Sequence, residues 1–432
     1  MNVNNYIYLD NKYSIHKCKN GNYICEKDEY KFNINNDFVN IFELCTGNRT
    51  ILEVINIWCE KYNENFDEVY DQFENILLQT PFIKISEEPG KISTLITGSF
   101  DKQYPVMVSV DLTNKCNFKC KHCYNESVIE NDEFIETGIL FKFLDYLSIN
   151  GCRQIAFTGG EPLLHKDIND IIDYACKRFI FVRLITNGSL LKKHIPVFAK
   201  YHNLIIRVSM HSFDEEYYDW FIGVKGYHKI VLDNLADIVK YNIEHDINVV
   251  MSPKNFSHIE QTAEMLHEVG VRNIRFGGID ELGRANQDLL LYNESNTQQI
   301  NNCIDRIADK YEENFILKYP EEYKNKVDRV NCGCGFQSIA LMYDGTIRVC
   351  TSCDHGTAIA NIYNTDYDEI FTFIGDEEYN LLQEPCNNIC GDCVEFDICR
   401  YCLAIPLNKY IKNNKECKWT NYNHDKLSSF GI

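Results

Sequence analysis

The sequence is short of positive charge. Lys and Arg number 43 against 63 Asp and Glu, and the formal net charge is −20. A chain that wraps a phosphate backbone needs clustered cations, so this balance argues against a nucleic-acid partner. The acidity reads first as solubility, and it is compatible with a basic peptide partner. Long apolar runs are missing as well. No segment approaches the roughly 18 uninterrupted apolar residues of a membrane span, so no membrane is expected as a partner. Residues Met1 to Asp10 are polar and tyrosine-rich, without the basic-then-apolar pattern of a secretory signal. The expected location is cytoplasmic.

Against these shortages stands an excess of cysteine, 20 residues in 432. In a reducing compartment, closely spaced cysteines read as metal or cluster ligands rather than disulfides. Three lie between Cys116 and Cys123, and ten between Cys332 and Cys417. The other seven (Cys18, Cys25, Cys45, Cys59, Cys152, Cys176 and Cys303) are scattered, several in apolar runs, and read as small buried side chains.

The chain changes texture along its length. Residues 1–88 predict a small domain. Short strands are expected at Tyr6–Leu9, Tyr13–His16, Tyr23–Glu26 and Tyr30–Ile34. A helix follows, opened by the capping box Thr50-Ile51-Leu52-Glu53, then another over Phe66–Leu78. From about 104 to 285, strands and helices alternate. Strands are expected at Val106–Leu112, Ile155–Thr158, Phe181–Ile185, Ile205–Met210, Ile247–Met251 and Ile274–Phe276. Six β–α units in series predict an α/β fold with a parallel sheet, open or curled into a partial barrel, with chemistry at the C-terminal strand ends. Residues 286–330 are polar and helical and read as a bridge. From 331 to 425, cysteines and turns dominate.

Cys116, Cys120 and Cys123 follow the first of these strands with the spacing C-x3-C-x2-C. Three thiolates in one short loop can hold three corners of a cubane cluster and leave the fourth iron open, the mark of a reactive metal site. The alternative is zinc. Zinc knuckles use paired C-x2-C units and four ligands, however, and His122 is awkwardly placed to ligate together with its neighbour Cys123.

This loop resembles that of the radical S-adenosylmethionine superfamily, with His122 where the family often has an aromatic ring. Further markers fall at successive strand ends: Thr158-Gly159-Gly160-Glu161-Pro162 is similar to the family's GGEP motif, Thr186-Asn187-Gly188 ends the third strand and Ser209 ends the fourth. The resemblance implies that Cys116, Cys120 and Cys123 carry a catalytic 4Fe–4S cluster whose open iron is chelated by S-adenosylmethionine. It implies that Gly159, Gly160 and Glu161 hold the cofactor's amino group, that Thr186, Asn187 and Ser209 face it, and that Arg284 meets its carboxylate or a substrate anion. The chemistry implied is reductive cleavage of the cofactor to an adenosyl radical that takes a hydrogen atom from substrate.

The C-terminal pattern runs Cys332-x12-Gly345-x4-Cys350, then Cys386, then Cys390-x2-Cys393-x5-Cys399-x2-Cys402, and finally Cys417. It resembles the SPASM domain of radical enzymes that modify peptides. By that resemblance one auxiliary 4Fe–4S cluster uses Cys390, Cys393, Cys399 and Cys417. The other uses Cys332, Cys350 and Cys402, with Cys334, Cys353 or an open position at its fourth corner. Three clusters in all are implied, and a zinc ribbon on the C-x2-C pairs is the alternative. The N-terminal domain is similar to the winged-helix-like, PqqD-like domains that bind a leader peptide along a sheet edge.

Across residues 1 to 425 the chain resembles radical SAM/SPASM maturases of ribosomal peptides that install thioether links, with Asn331-Cys332-Gly333 and Leu407-Asn408-Lys409-Tyr410 among the matching segments. Ile222 stands where relatives often have Arg. The implied partners are a ribosomal precursor peptide bound through its leader and an electron donor such as flavodoxin or ferredoxin. Carbon–carbon crosslinking, epimerisation and sulfatase formylglycine formation would use the same machinery, and a non-catalytic binding protein with structural clusters is the reading from another class.

Overall fold

The computed structural model describes residues 2–19, 21–26, 29–80, 82–90, 95–279, 282–285, 294–311, 315–317, 331–353, 357–376, 382–393, 396–399, 402–412 and 416–429. The chain divides into two compact units. The first comprises residues 1–106, 147–153 and 371–377. It holds β1 (Tyr6–Leu9), β2 (Tyr13–Lys17), β3 (Asn22–Glu26), β4 (Glu29–Ile34), β5 (Thr46–Thr50), β6 (Ile83–Ser86) and β7 (Ile96–Gly98). These form two sheets, in the orders β5-β1-β6 and β4-β3-β2-β7. The expected boundary at 88 falls short, because β7 lies beyond it and pairs in parallel with β2. The first unit also takes up 147–153, inside the span expected for the core.

Helices Asn36–Leu44, Ile51–Tyr62 and Phe66–Gln79 complete this unit. Their apolar faces bury Val39, Phe42, Val54, Ile55, Trp58 and Phe73 against Ile7, Leu9, Ile15 and Ile24 from the strands. The expected capping box is present: the Thr50 side chain accepts from Glu53 N, and the Glu53 carboxylate accepts from Thr50 N at 2.8 Å. The helix Asn36–Leu44 was not foreseen. It starts because the Asn35 side chain accepts from Phe38 N at 2.9 Å, satisfying one of the free amides of its first turn.

The second unit comprises residues 107–146, 154–370 and 378–432. Its sheet has nine strands in the order β13-β12-β11-β10-β9-β8-β14-β15-β16. Here β8 is Met107–Asp111, β9 Gln154–Thr158, β10 Phe181–Thr186, β11 Leu204–Ser209, β12 His245–Val250 and β13 Ile274–Gly277. All six are parallel and each neighbours the next in sequence. Helices Thr137–Ile149, Ile168–Cys176, His228–Lys240 and Ile259–Val269 lie on the connections, as parallel strands require. The burial of β11 alternates residue by residue, with Leu204, Ile206 and Val208 fully buried and Ser209 at its half-exposed tip.

The expected strands are all found, most within one or two residues of the expected ends. The part that sequence could not supply is the seam with the cysteine-rich region. Strand β14 (Ser338–Leu341) pairs in parallel with β8, and β15 (Thr346–Arg348) and β16 (Ala358–Asn361) follow antiparallel. The C-terminal region therefore continues the sheet whose other side holds the six core strands. Within the expected bridge, helix Glu294–Lys310 is observed, while 286–293, 312–314 and 318–330 lie outside the described residues.

Replacing Thr50 by Ala removes the side-chain oxygen that accepts from Glu53 N and leaves only the backbone half of the capping box. The expected cost is about 1 kcal/mol in the first unit, read as a lower urea midpoint and as faster amide exchange in the first turn of helix Ile51–Tyr62.

Candidate active site

The cysteine loop leaves β8 at its C-terminal end and is tied down on several sides by its own backbone. Gly160 N donates to Thr113 O at 2.7 Å and Glu161 N to Lys115 O at 2.8 Å. Lys119 N donates to Ile222 O and Lys121 N to Phe221 O, each at 2.9 Å. Cys116 N reaches Val128 O at 3.1 Å, and Arg284 N reaches Cys123 O at 3.0 Å. All but the Gly160–Thr113 bond fix a residue next to, or at, one of the three cysteines.

The glycines of the second strand end have a role set by distance. Gly159 has φ +124°, and a Cβ placed there would lie 2.4 Å from Thr113 O. At Gly160 it would lie 2.1 Å from Lys115 O. The close approach expected toward a cofactor is, in the structure, an approach to the cysteine loop itself. Gly223 repeats the device: its φ is +74°, and a Cβ there would stand 2.3 Å from Lys119 O. Sequence reading missed Gly223, although a glycine just past a helix end is a recognisable signal of a left-handed cap. Ile222, the departure from the resemblance, is buried and contributes its carbonyl to the same clamp.

Glu161 also differs from expectation. It was read as an acceptor for the cofactor's ammonium, but it is fully buried. Its Oε1 accepts from Thr186 Oγ1 at 2.7 Å and from Leu163 N at 3.0 Å, and its Oε2 accepts from Asn187 N at 2.8 Å. Glu161 thus ties the end of β9 to the end of β10. Burial pushes its carboxyl up to about 7, against the pull of those donors. Thr186, expected to face the cofactor, is buried and engaged with Glu161. Asn187 is half-buried; its Nδ2 donates to Asn117 Oδ1 at 2.9 Å and lies 4.0 Å from the Cys116 sulfur. Ser209 stands at the tip of β11 in register with Asn248.

Arg284 is held by the cysteine loop. Expected to meet a carboxylate, it donates through Nε to Cys120 O at 2.8 Å and through Nη2 to Ser127 O at 3.0 Å. Its positive charge sits against the loop as a brace. His122, between two of the cysteines, stacks on Phe221 at 4.4 Å and meets His211 edge-on at 5.1 Å. Burial, with Arg284's charge adding to it, lowers His122 to about 4, so the ring is neutral. Its Nδ1 is buried without a partner.

The three thiols sense one another. Burial first, then Glu161, raises Cys116 to about 12. Burial and the neighbouring Cys116 and Cys123 hold Cys120 well above the ordinary thiol range. Among the described residues no three His, Cys, Asp or Glu side chains are placed to grip a single metal ion. A cubane cluster is wider than one ion and asks its thiolates to stand further apart. Three mutually close thiols on a braced loop, beside a glycine turn that leaves no room for a side chain, suit such a cluster as a donor set.

The C-terminal cysteines gather into two groups. Cys334 is in thiol hydrogen-bond reach of Cys332, Cys350 and Cys353, and Cys402 lies close to Cys332 and Cys350. Cys332 is lowered to about 7, chiefly by the Cys334 thiol, and Cys350 falls well below its usual range for the same reason. Cys390 has Cys417, Cys393 and Cys386 as its neighbours. Cys386 was left out of the expected ligand set. Cys399, which was included, is buried with Lys409 Nζ 3.9 Å from its sulfur. A cavity of about 270 Å³ separates this region from the cysteine loop, lined by Asn114, Tyr124 and Glu126 on one side and Thr351, Cys353 and Lys412 on the other.

Such a loop, at the mouth of six parallel strands, has the form expected of a radical SAM domain. The radical SAM superfamily model matches residues 110–266, so the chain carries a radical SAM domain. It is 25% identical over 401 residues to the antilisterial bacteriocin subtilosin biosynthesis protein AlbA of Bacillus subtilis, covering 88% of this chain and 86% of that protein. It is 23% identical over 266 residues to the sporulation killing factor maturation protein SkfB of Bacillus subtilis, covering 61% and 64%. In fold it is similar to Streptococcus suis SuiB bound to precursor peptide SuiA, with a TM-score of 0.68 at 14% identity, covering 93% and 97% of the two chains. No described helix is long and apolar enough to cross a membrane.

Two substitutions test this geometry. Gly160→Ala forces a Cβ against the Lys115 carbonyl, at an expected cost of about 1–3 kcal/mol; after anaerobic reconstitution it should retain much less loop-bound iron than the parent chain. Glu161 binds its proton more tightly in the fold than its ordinary value of 4.5 allows, so its contribution to stability is full below about 4.5 and is lost as pH rises to about 7. Urea unfolding of the cluster-free chain should therefore show the parent losing stability relative to Glu161→Gln across that window.

Proposed function

We propose that this chain matures a ribosomally synthesised precursor peptide by linking a cysteine thiol of that peptide to a carbon of another of its residues. Cys116, Cys120 and Cys123 would hold the catalytic 4Fe–4S cluster. Asn187, just past β10, and Ser209, at the tip of β11, would face S-adenosylmethionine. When bound, the cluster and cofactor supply a carbon radical that removes a hydrogen atom from the peptide. The chain's residues supply position. The loop is braced by main-chain bonds to neighbouring segments, which lowers the cost of ordering it. The neutral His122 ring, packed on Phe221, closes one wall without adding charge.

The observation that carries this reading is the sheet seam. Pairing of β14 with β8 sets the cysteine-rich region directly beside the strand that launches the catalytic loop. The cavity, lined by Cys353 and by Tyr124 next to Cys123, gives a peptide side chain a place between the two regions. Two auxiliary clusters fit the two cysteine groups. One would use Cys332, Cys350 and Cys402 with Cys334 or Cys353 as its fourth ligand. The other would use Cys390, Cys393 and Cys417, with Cys399 or Cys386 completing it. Likeness to AlbA and SkfB, whose names place them in bacteriocin biosynthesis and killing-factor maturation, supports a peptide substrate. The first unit, with its two small sheets, would hold the leader by strand addition, and a flavodoxin- or ferredoxin-type protein would supply the electron.

The test is anaerobic reconstitution with iron and sulfide, followed by mass spectrometry with reductant, S-adenosylmethionine and a cysteine-containing precursor peptide. Loss of two hydrogens from the peptide, with one cysteine no longer alkylatable, is expected. Unchanged peptide mass, or crosslinking that leaves every thiol free, would defeat the thioether reading. Cys116→Ala should abolish 5′-deoxyadenosine formation while the iron of the C-terminal region is retained.

A further inference from the structure

We propose that Tyr218 is a positioning residue for the catalytic cluster: its phenol donates a hydrogen bond to the Cys120 sulfur once that sulfur is bound to iron. The inference rests on the reading that Cys116, Cys120 and Cys123 hold a 4Fe–4S cluster. Tyr218 lies on the helix Glu215–Ile222 and is among the largest fully buried side chains of the chain. Its hydroxyl is buried with no hydrogen-bond partner among the described residues. A buried hydroxyl left unpaired is destabilising, and a phenylalanine would fill the same space without that cost. The group therefore needs an acceptor that arrives after the chain has folded.

Tyr218 is set against the cysteine loop by its helix and by its ring. It stands one turn before Phe221 and Ile222, on the same face of the helix. The carbonyls of those two residues accept from Lys121 N and Lys119 N, the amides on either side of Cys120. Phe221 also lies flat on His122, the loop residue before Cys123. The Tyr218 ring meets His211 at 6.2 Å, and His211 in turn meets His122 edge-on at 5.1 Å. His228 packs edge-on against the Tyr218 ring at 5.3 Å. Burial holds the phenol far above its ordinary range, and the charge of a Cys120 thiolate is the next cause, ahead of Asp219.

The other polar groups nearby are committed elsewhere. Asp219 Oδ2 accepts from Gly226 N at 3.0 Å, and its Oδ1 is itself buried without a partner, so it is not bonded to the phenol. His211 Nδ1 accepts from Val250 N at 3.2 Å, and His228 Nε2 is bonded to Ser212 O at 3.1 Å. The sulfur of Cys120 is the acceptor that remains. As a thiol it accepts weakly; as a thiolate on iron it carries the charge that a phenol O–H seeks. A donor beside a cluster sulfur stabilises the added negative charge of the reduced state, so this bond makes the catalytic cluster easier to reduce.

The test uses the full chain and Tyr218→Phe, which keeps the ring and removes only the hydroxyl. After anaerobic reconstitution with iron and sulfide, the reduced clusters are followed by electron paramagnetic resonance at fixed potentials, without S-adenosylmethionine. The catalytic cluster's signal is the one missing in Cys116→Ala. At the parent's midpoint, the variant should show a reduced-to-oxidised ratio about 5–10-fold lower, which corresponds to a potential lower by roughly 40–60 mV. Signals from the C-terminal region should titrate as in the parent. In the cluster-free chain, the variant's urea midpoint should equal or exceed the parent's, because the hydroxyl removed is unpaired there. An unchanged ratio would overturn the proposal, and so would an equal shift in the C-terminal signals. A lower urea midpoint for the cluster-free variant would also overturn it, by showing that the hydroxyl already has a partner. A parent chain that binds no iron at the loop would instead bring down the reading of that loop as a cluster site, and the proposal with it.

Discussion

The structure depends on how closely two stretches of backbone approach at the mouth of the parallel sheet. The Gly159-Gly160 turn at the end of β9 lies against residues 113–115 of the loop leaving β8, leaving no space for a side chain between them. Two hydrogen bonds lock that contact, and two more on the opposite side clamp the loop to the end of helix Glu215–Ile222. A loop meant to hold an oxygen-sensitive cluster is thus shaped by main-chain bonds that do not depend on the cluster. Because burial raises the Cys116 and Cys120 thiols, ligation must also displace protons from groups that hold them tightly.

That constraint recasts the residues around it. Glu161, Thr186 and Arg284 are polar groups in the right neighbourhood, and resemblance made them cofactor contacts. In the fold, Glu161 accepts three hydrogen bonds that join two strand ends, Thr186 is one of its donors, and Arg284 braces the loop through Cys120 O and Ser127 O. A buried carboxylate with satisfied oxygens is a structural tie, because an unsatisfied one would carry a large desolvation cost.

Much of the fold was legible. The six core strands and the helices between them carry strong periodic patterns, and the Thr50 capping box is a local signal with a local cause. The cysteine loop, the glycine pair and the strand-end motifs were found as residues because their chemistry is unusual in type and spacing. Strand β5, Thr46–Thr50, was not, because its polar sequence forms a strand only by pairing with β1. Strand β7 likewise depends on a partner more than 70 residues away, and so the first domain was cut short.

The sequence by itself determined which atoms are available: thirteen clustered cysteines in two regions, a glycine turn, and alternating elements that commit to a parallel sheet. Those are consequences of composition and short-range pattern, which act over a few residues. Tertiary structure alone decided what each polar group points at and which regions share an edge. Glu161 turned inward, Arg284 reached back some 160 residues to brace the loop, and β14 joined β8 across more than 200. Such pairings are settled by burial and by the need of every interior donor and acceptor for a partner, and no local pattern encodes them.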